Sequence, residues 1–177
     1  MILKLFHSIN YKGLLLLLAI LIFNIKAQGQ TADDFYKEGI KKDSLEDYKG
    51  ALSAYDKAIK LNPHNPDYYF NRGSAKDGLE DYYGAIADYN LALKINPKDG
   101  HYYYNRGCAK DGLKDHKSAI KDYNRAIKLK PSESSFYFNR GCSKKNTGNK
   151  KGSCKDWKKA AELGDQEAKE LIKANCK

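Results

Sequence analysis

Four cysteines carry the most reactive chemistry in this 177-residue sequence. They are Cys108, Cys142, Cys154 and Cys176, and four cysteines permit three complete disulfide pairings. The sequence has no Cys-x-x-Cys motif, and its four histidines lack the spacing of zinc ligands. We therefore expect no metal site and no cofactor, and disulfide formation is the chemistry that the cysteines could supply.

The motifs that commonly mark an active site are missing. The sequence contains no His-Glu-x-x-His, no Gly-x-Ser-x-Gly and no glycine-rich phosphate loop. Nearly every residue after position 31 belongs to a repeated unit, which leaves no separate catalytic domain. These observations predict that the protein is not an enzyme.

A 34-residue period organises the chain from residue 32 onward. Four units run over residues 32–65, 66–99, 100–133 and 134–167, and a final segment spans 166–177. With residue 32 counted as position 1, glycine stands at position 8 and alanine at position 27 of every unit. A fixed period of this length is typical of proteins that stack one supersecondary unit on the next.

Each unit has the pattern of two antiparallel helices. Small residues at positions 8 and 20 let two helices approach closely, and positions 20, 21, 24, 27 and 28 share one helical face. Proline at position 32 ends the second helix in the first three units. The residues at position 16, which suit the N-cap of that helix, are Asp47, Asp81, Asp115 and Asn149. The pattern predicts four helix-turn-helix hairpins that must stack to bury their apolar faces.

The final segment predicts a ninth helix that caps the stack. Asp165 replaces the proline in the fourth unit. Residues with the spacing of an amphipathic helix follow it, namely Ala168, Leu171, Ile172 and Cys176. A solenoid needs such an end element because its last repeat has no neighbour to cover its apolar face.

At these positions the sequence resembles the tetratricopeptide repeat family. The period and the order aromatic, Gly, Ala, aromatic, Ala, Pro match from residue 32 to about 167. The resemblance implies an all-α, right-handed superhelical solenoid that binds other proteins. Two positions depart from the family pattern: position 7 carries Glu38 and three arginines instead of leucine, and position 11 carries lysines. We expect the aliphatic stems of these side chains to pack while their charges reach water.

The resemblance also implies that the first helices line a concave groove that binds a peptide. Position 5 would place an aromatic column in the groove, position 6 a ladder of asparagines like that of O-GlcNAc transferase, and position 12 charged residues. The implied groove residues are Tyr36, Phe70, Asn71, Tyr104, Asn105, Phe138, Asn139, Asp77, Asp111 and Lys145. Asparagine amides can both donate to and accept from an extended peptide backbone.

A second interpretation gives the same side chains a structural role. The position-5 aromatics would then pack against neighbouring first helices, and the asparagines would bond to the adjacent turn or unit. Chaperone-binding members of the family use lysines and arginines at positions 2, 5 and 6, where this sequence has residues such as Asp67, Phe70 and Asn105. A C-terminal chaperone peptide is therefore a poor candidate ligand.

The repeat positions favour one disulfide and leave others open. Cys154 occupies position 21, which the other units fill with Leu or Ile, so it should face the following helix, where Cys176 lies. A bond between Cys154 and Cys176 would tie the cap to the last repeat. A bond between Cys142 and Cys154 and a set of buried thiols are the alternatives. Cys108 and Cys142 stand one repeat apart, which favours free thiols at both positions.

Charge is unevenly distributed along the chain. The whole sequence has a formal net charge of +10, and the first three units sum to −1, −2 and +4, with +6 over residues 134–177. The lysines of the last unit could orient an acidic partner, meet an anionic envelope surface, or form a solvated face. We expect no nucleic-acid partner.

The first 29 residues have the pattern of a secretory signal peptide. Lys4, His7 and Lys12 precede ten consecutive apolar residues at 14–23, and Ala27-Gln28-Gly29 offers small residues for cleavage. The apolar stretch is shorter than the ~20 residues of a transmembrane helix. We expect cleavage after Gly29, no transmembrane segment after cleavage, and an exported protein that is periplasmic or secreted. A retained membrane anchor is the alternative.

Together these patterns predict a non-catalytic adaptor or scaffold that binds a protein or an extended peptide in its groove. A self-associating structural element, whose homo-oligomer uses the groove, is a second hypothesis. An accessory subunit of an envelope enzyme is a third.

Overall fold

The computed structural model describes residues 29–176 together with Leu15, and the predicted signal segment falls almost wholly outside them. Ala32–Lys177 form one compact unit. Within the described residues the chain forms nine helices and no strand, which confirms the all-α prediction. No helix in this part of the chain is both long enough and apolar enough to cross a bilayer.

Four helix pairs follow one another, and a ninth helix ends the series. The pairs are α1 (Ala32–Asp43) with α2 (Tyr48–Leu61), α3 (Pro66–Gly78) with α4 (Tyr82–Ile95), α5 (Gly100–Gly112) with α6 (His116–Leu129), and α7 (Ser134–Asn146) with α8 (Lys150–Glu162). The last helix, α9 (Gln166–Asn175), packs on α8. Each second helix contacts the first helix of the next pair, as in a solenoid.

The first helices also contact one another from pair to pair. No comparable contact joins successive second helices among the described residues. The first helices α1, α3, α5 and α7 therefore lie on the inner side of the stack, where the groove is expected.

Local sequence signals begin and end the second helices. The position-16 side chains accept a hydrogen bond from the backbone N–H three residues later, which confirms the N-cap prediction. The residues before Pro63, Pro97 and Pro131 have non-helical backbone, because proline sterically disfavours the helical region for its predecessor. In the fourth unit Gly164, with a φ of +101°, follows the end of α8 instead.

Glycine at position 8 lets the two helices of each pair meet. A Cβ placed on Gly107 would lie 2.7 Å from Cε1 of Tyr123, the position-24 ring of the same unit. The position-24 rings are almost fully buried, and so are the position-27 alanines. The core of each unit therefore depends on an aromatic ring lying directly over a glycine.

Buried ion pairs join the two helices in the second, third and fourth units. In the second unit, Nε and Nη2 of Arg72 donate to both oxygens of Asp88 at 2.9 and 2.6 Å. Nη1 of Arg72 donates to Asp56 of the preceding unit at 2.6 Å, and Nζ of Lys76 lies 2.8 Å from Asp88. Equivalent contacts are made by Arg106 and Lys110 with Asp122, and by Arg140 and Lys144 with Asp156.

The expectation that the charges at positions 7 and 11 reach water is wrong for these three units. The side chain of Asp88 is only 2% exposed and that of Arg72 only 19% exposed. A carboxylate at position 23 accepts two hydrogen bonds from the guanidinium, so the arginine side chain lies against the second helix of its own unit. These hydrogen bonds raise the pKa of Arg72 above its ordinary value.

Candidate functional site

The aromatic residues at position 5 lie between successive first helices. Each of the first three packs on the position-3 ring of the next unit, and these position-3 rings are buried. The ring centroids are 4.9 Å apart for Tyr36 and Tyr68, 4.9 Å for Phe70 and Tyr102, and 4.6 Å for Tyr104 and Phe136. The position-5 rings themselves remain partly exposed.

Phe138 ends this column in a different environment. The cap helix offers Ala168 in place of an aromatic ring, and Phe138 packs against the core cluster of Trp157, Ala160 and Ala168. Lys145 of the same unit is exposed, and its Nζ lies 5.9 Å from the Trp157 ring centroid. The predicted groove thus changes from aromatic to basic at its C-terminal end.

The asparagines at position 6 differ in what they bind. Nδ2 of Asn71 donates to the Tyr36 hydroxyl and Nδ2 of Asn139 to the Tyr104 hydroxyl, both at 2.7 Å and across a unit boundary. Asn105 has no such partner because Phe70 carries no hydroxyl, and its Nδ2 donates to the backbone oxygen of His101 at 3.0 Å. Because position 5 alternates between Tyr and Phe, Asn71 and Asn139 bond to the preceding unit, whereas Asn105 bonds to its own helix.

The contacts of Asn71 and Asn139 are those of the structural interpretation, in which asparagine ties one unit to the next. Within the part of the chain that the structure describes, the Asn105 side chain bonds only to its own helix, and it remains partly exposed. Its amide oxygen and second amide hydrogen are free for an additional hydrogen bond. That the asparagines bind a peptide stays a prediction. Among them, Asn105 is the one whose side-chain amide is most available for such a contact.

The acidic residues at position 12 also differ from unit to unit. Asp111 accepts hydrogen bonds from the hydroxyls of Tyr123 and Ser143, and Nδ1 of His116 lies 2.8 Å from its other oxygen. One buried carboxylate oxygen of Asp77 has no hydrogen-bond partner within the described residues. Burial accordingly raises the pKa of Asp77.

The difference between these two carboxylates follows from two other repeat positions. Asp111 is reached by Ser143, at position 10 of the following unit, whereas Ala109 stands at that position after Asp77. Position 17 provides His116 beside Asp111, whereas Tyr82 takes that place in the second unit. Contacts with Ser143 and His116 thus fix the carboxylate of Asp111, and Asp77 has no equivalent contacts among the described residues.

The cysteines fall into two classes. The sulfur atoms of Cys154 and Cys176 are 2.06 Å apart and their Cα atoms 5.7 Å apart, so α8 and the end of α9 meet at this point. Cys108 and Cys142 form no disulfide among the described residues and are half-buried. Burial raises the pKa of both thiols, which disfavours the reactive thiolate.

Two sets of buried residues are not identified by the sequence patterns described above. The position-3 rings are Tyr68, Tyr102 and Phe136, and the position-23 carboxylates are Asp88, Asp122 and Asp156. The aromatic ring at position 3, the arginine at position 7 and the carboxylate at position 23 occur together in the second, third and fourth units, and this joint occurrence is the signal. The first unit lacks all three, with Asp34 at position 3 and Ala54 at position 23. Among the residues that the structure covers, no group of three or more His, Cys, Asp or Glu could hold a metal ion.

Comparisons with known proteins agree with this architecture. Three family models match, described as TPR repeat over residues 44–76 and as tetratricopeptide repeat over residues 66–99 and 102–133. A search among curated proteins finds no match.

Solved structures of similar fold span most of the chain. A crystal structure of MamA shares 25% sequence identity over 82% of this chain and 85% of its own, with a TM-score of 0.74. MamA from Desulfovibrio magneticus RS-1, from residue 41 to its end, is 24% identical over 78% of each chain, with a TM-score of 0.73, and shows the fold alone. The first TPR of Spaghetti (RPAP3), bound to the HSP90 peptide SRMEEVD, is 28% identical over 68% of this chain and 96% of its own, with a TM-score of 0.66.

The 34-residue period, the stacked helix pairs and the three family matches lead to one assignment. This chain belongs to the tetratricopeptide repeat family.

Proposed function

We propose that this protein is a non-catalytic adaptor or scaffold that binds an extended peptide along its first helices. Tetratricopeptide repeats form protein–protein interaction modules, and this family membership supports binding over catalysis. The observation that carries the proposal is the position of Asn105. Its partly exposed amide follows Tyr104 of the aromatic column in the chain and, among the described residues, makes no bond to a neighbouring unit.

A peptide in this groove would combine two kinds of contact. The amide of Asn105 can bond to a backbone N–H or C=O whatever the ligand's side chains are. The rings at position 5 supply rigid apolar surface at little entropic cost. The positive charge of the last unit favours a partner that also carries an acidic segment.

A pair of alanine variants tests the groove. Crosslinking to the full chain, followed by mass spectrometry, first identifies a partner peptide, and that peptide is then titrated against Asn105→Ala and Asn139→Ala. We expect Asn105→Ala to weaken binding about tenfold, as the loss of one desolvated hydrogen bond does, with an unchanged melting temperature. Asn139→Ala should lower the melting temperature as well, because its bond to Tyr104 joins two units.

Two other outcomes of this experiment would contradict the proposal and favour a different function. Equal changes in stability and affinity for both variants would favour the structural interpretation of the whole ladder. A chain that sediments as an oligomer and crosslinks through its groove only to copies of itself would favour self-association.

We also propose that the protein is exported and carries the Cys154–Cys176 disulfide. The apolar segment at 14–23 with its flanking lysines supports export, and disulfides persist in oxidising compartments. Intact-mass measurement of the exported protein should show a chain that begins at Gln30, and nonreducing peptide mapping should recover Cys154 joined to Cys176. A chain that retains residues before position 24 would contradict cleavage.

A further inference from the structure

Residues of α7, α8 and α9 line a cleft of about 820 Å³ at the C-terminal end of the repeats. Five lysines of α8 line it: Lys150, Lys151, Lys155, Lys158 and Lys159. The cleft also contains two acids, and both are already paired. Asp156 lies 2.6 Å from Arg140, and Glu162 lies 3.2 Å from Lys159.

Four of the five lysines have no acidic partner within the described residues. Lys150, Lys151, Lys155 and Lys158 are exposed, and they take no part in the ion pairs that hold other lysines of this unit, such as Lys144 and Lys159. The cleft therefore presents four unneutralised positive charges along one helix.

This arrangement of charge opposes helix formation. Lys150 and Lys151 occupy the first turn of α8, where the helix dipole disfavours positive charge. Lys151 and Lys155 are four residues apart, and Lys155 and Lys158 three apart, so like charges are neighbours on the helix surface. An anionic ligand would relieve each of these repulsions.

The position of Lys158 adds to this argument. In the other three units the equivalent position 25 is Asp56, Asn90 or Asn124, each of which accepts from the arginine of the next unit. The cap helix has no such arginine, and the acceptor is replaced by a cation that faces the cleft.

We infer that this basic cleft binds a run of acidic residues in a partner protein. Lys150 and Lys158 are eight residues apart, which is about 12 Å along a helix and equals the length of roughly four extended residues. The cleft lies at the last repeat and its cap, and it does not include Asn105 or the position-5 rings. It is thus a second binding surface, and its existence does not depend on the groove.

Two features favour an acidic peptide over other polyanions. The large apolar side chains that stand exposed on the described surface all precede residue 96, so none is available here to enter a bilayer. The one aromatic ring among the cleft residues, Tyr137, has the Arg140 guanidinium 5.5 Å from its centroid and packs against the Trp157 core cluster, so a base could stack on it only by displacing these contacts.

The test uses a fluorescein-labelled peptide with four consecutive glutamates between Gly-Ser flanks, and a matched peptide with glutamines. The cleft variant combines Lys150→Gln, Lys151→Gln, Lys155→Gln and Lys158→Gln. The control variant removes the same charge from exposed lysines of other units through Lys49→Gln, Lys60→Gln, Lys94→Gln and Lys128→Gln. Binding is followed by fluorescence anisotropy on the full chain, and melting temperatures are recorded for both variants.

We expect the glutamate peptide, and not the glutamine peptide, to bind the wild-type chain. The cleft variant should lose at least about tenfold in affinity with no fall in melting temperature, while the control variant changes little. Absence of glutamate-peptide binding, or an equal loss in both variants, would overturn the inference. Stronger cleft-dependent binding of phosphatidylglycerol vesicles or a DNA oligomer than of the peptide would overturn it too.

Discussion

The side-chain amide of Asn139 donates a 2.7 Å hydrogen bond to the hydroxyl of Tyr104, and this bond joins the third repeat to the fourth. Asn71 and Tyr36 make the same bond between the first and second repeats. Between the second and third repeats the bond is missing because Phe70 replaces the tyrosine. One hydroxyl group thus decides whether an asparagine stabilises the stack or remains available to a ligand.

Phe70→Tyr should convert Asn105 into a structural residue. The new hydroxyl would lie where Tyr36 and Tyr104 carry theirs, and Asn105 could turn to donate to it. We expect unfolding free energy to rise by about 1 kcal/mol, the usual net value of one hydrogen bond, and peptide affinity to fall. Thermal unfolding and peptide titration measure the two effects. Combining Phe70→Tyr with Asn105→Ala is the control, since it should remove the added stability.

Asp88→Ala should destabilise the second repeat strongly. Asp88 is buried and pairs with both Arg72 and Lys76, so its removal leaves Lys76 without a carboxylate and Arg72 with only the exposed Asp56. We expect a loss of about 3 kcal/mol in urea unfolding. Replacing all three groups, as Arg72→Leu and Lys76→Leu with Asp88→Leu, should recover much of that loss because no buried charge is then left unpaired. A triple variant no more stable than Asp88→Ala would contradict this explanation.

Asp77→Asn should stabilise the protein at neutral pH. Burial raises the pKa of Asp77 in the folded chain above its ordinary value of 3.8, so ionisation of this carboxyl opposes folding. The opposing effect is present in full at neutral pH and is relieved as the pH falls through the raised pKa. The difference in melting temperature between variant and wild type should therefore shrink as the pH falls from 7 towards 4. Asp111→Asn is the control, and no stabilisation is expected there because Asp111 already accepts two hydrogen bonds.

Loss of the Cys154–Cys176 bond should loosen the cap. The two residues are 22 apart in sequence, and a loop of that size corresponds to about 3 kcal/mol in the chain-entropy description. We expect Cys154→Ser with Cys176→Ser to lower the melting temperature and to speed amide exchange in α9 more than in α3. Reducing agent should reproduce the effect in the wild type and leave the double variant unchanged. Insensitivity of the wild type to reductant would show that the bond does not form.

The helices could be predicted from the sequence because the same residue types recur at the same positions in all four units. Glycine at position 8, alanine at position 27 and a capping side chain at position 16 have local consequences that a single sequence reveals. The charge of the arginines at position 7 suggests contact with water, whereas the carboxylate that neutralises each of them stands 16 residues later on the other helix, where local sequence gives no sign of it. The co-occurrence of arginine with a position-23 carboxylate in three units, and the absence of both from the first, was the available signal.

The division of the asparagine ladder could not be predicted from residue types alone. It depends on which side chain of the preceding unit lies within hydrogen-bonding distance, and that register is a property of the stacked helices. Asn71, Asn105 and Asn139 occupy equivalent sequence positions, and the residues 35 positions before them are Tyr36, Phe70 and Tyr104, of which only the two tyrosines can accept the hydrogen bond.

Site-specific photocrosslinking tests the central claim most directly. A photoreactive residue is introduced into the full chain either at position 105, in the groove, or at position 83, where Tyr83 is 76% exposed on a second helix. Mass spectrometry then identifies the crosslinked segments. The groove account predicts that position 105 captures an extended segment of another protein that position 83 does not. Capture from position 83 alone, or of copies of this chain alone from position 105, would contradict it.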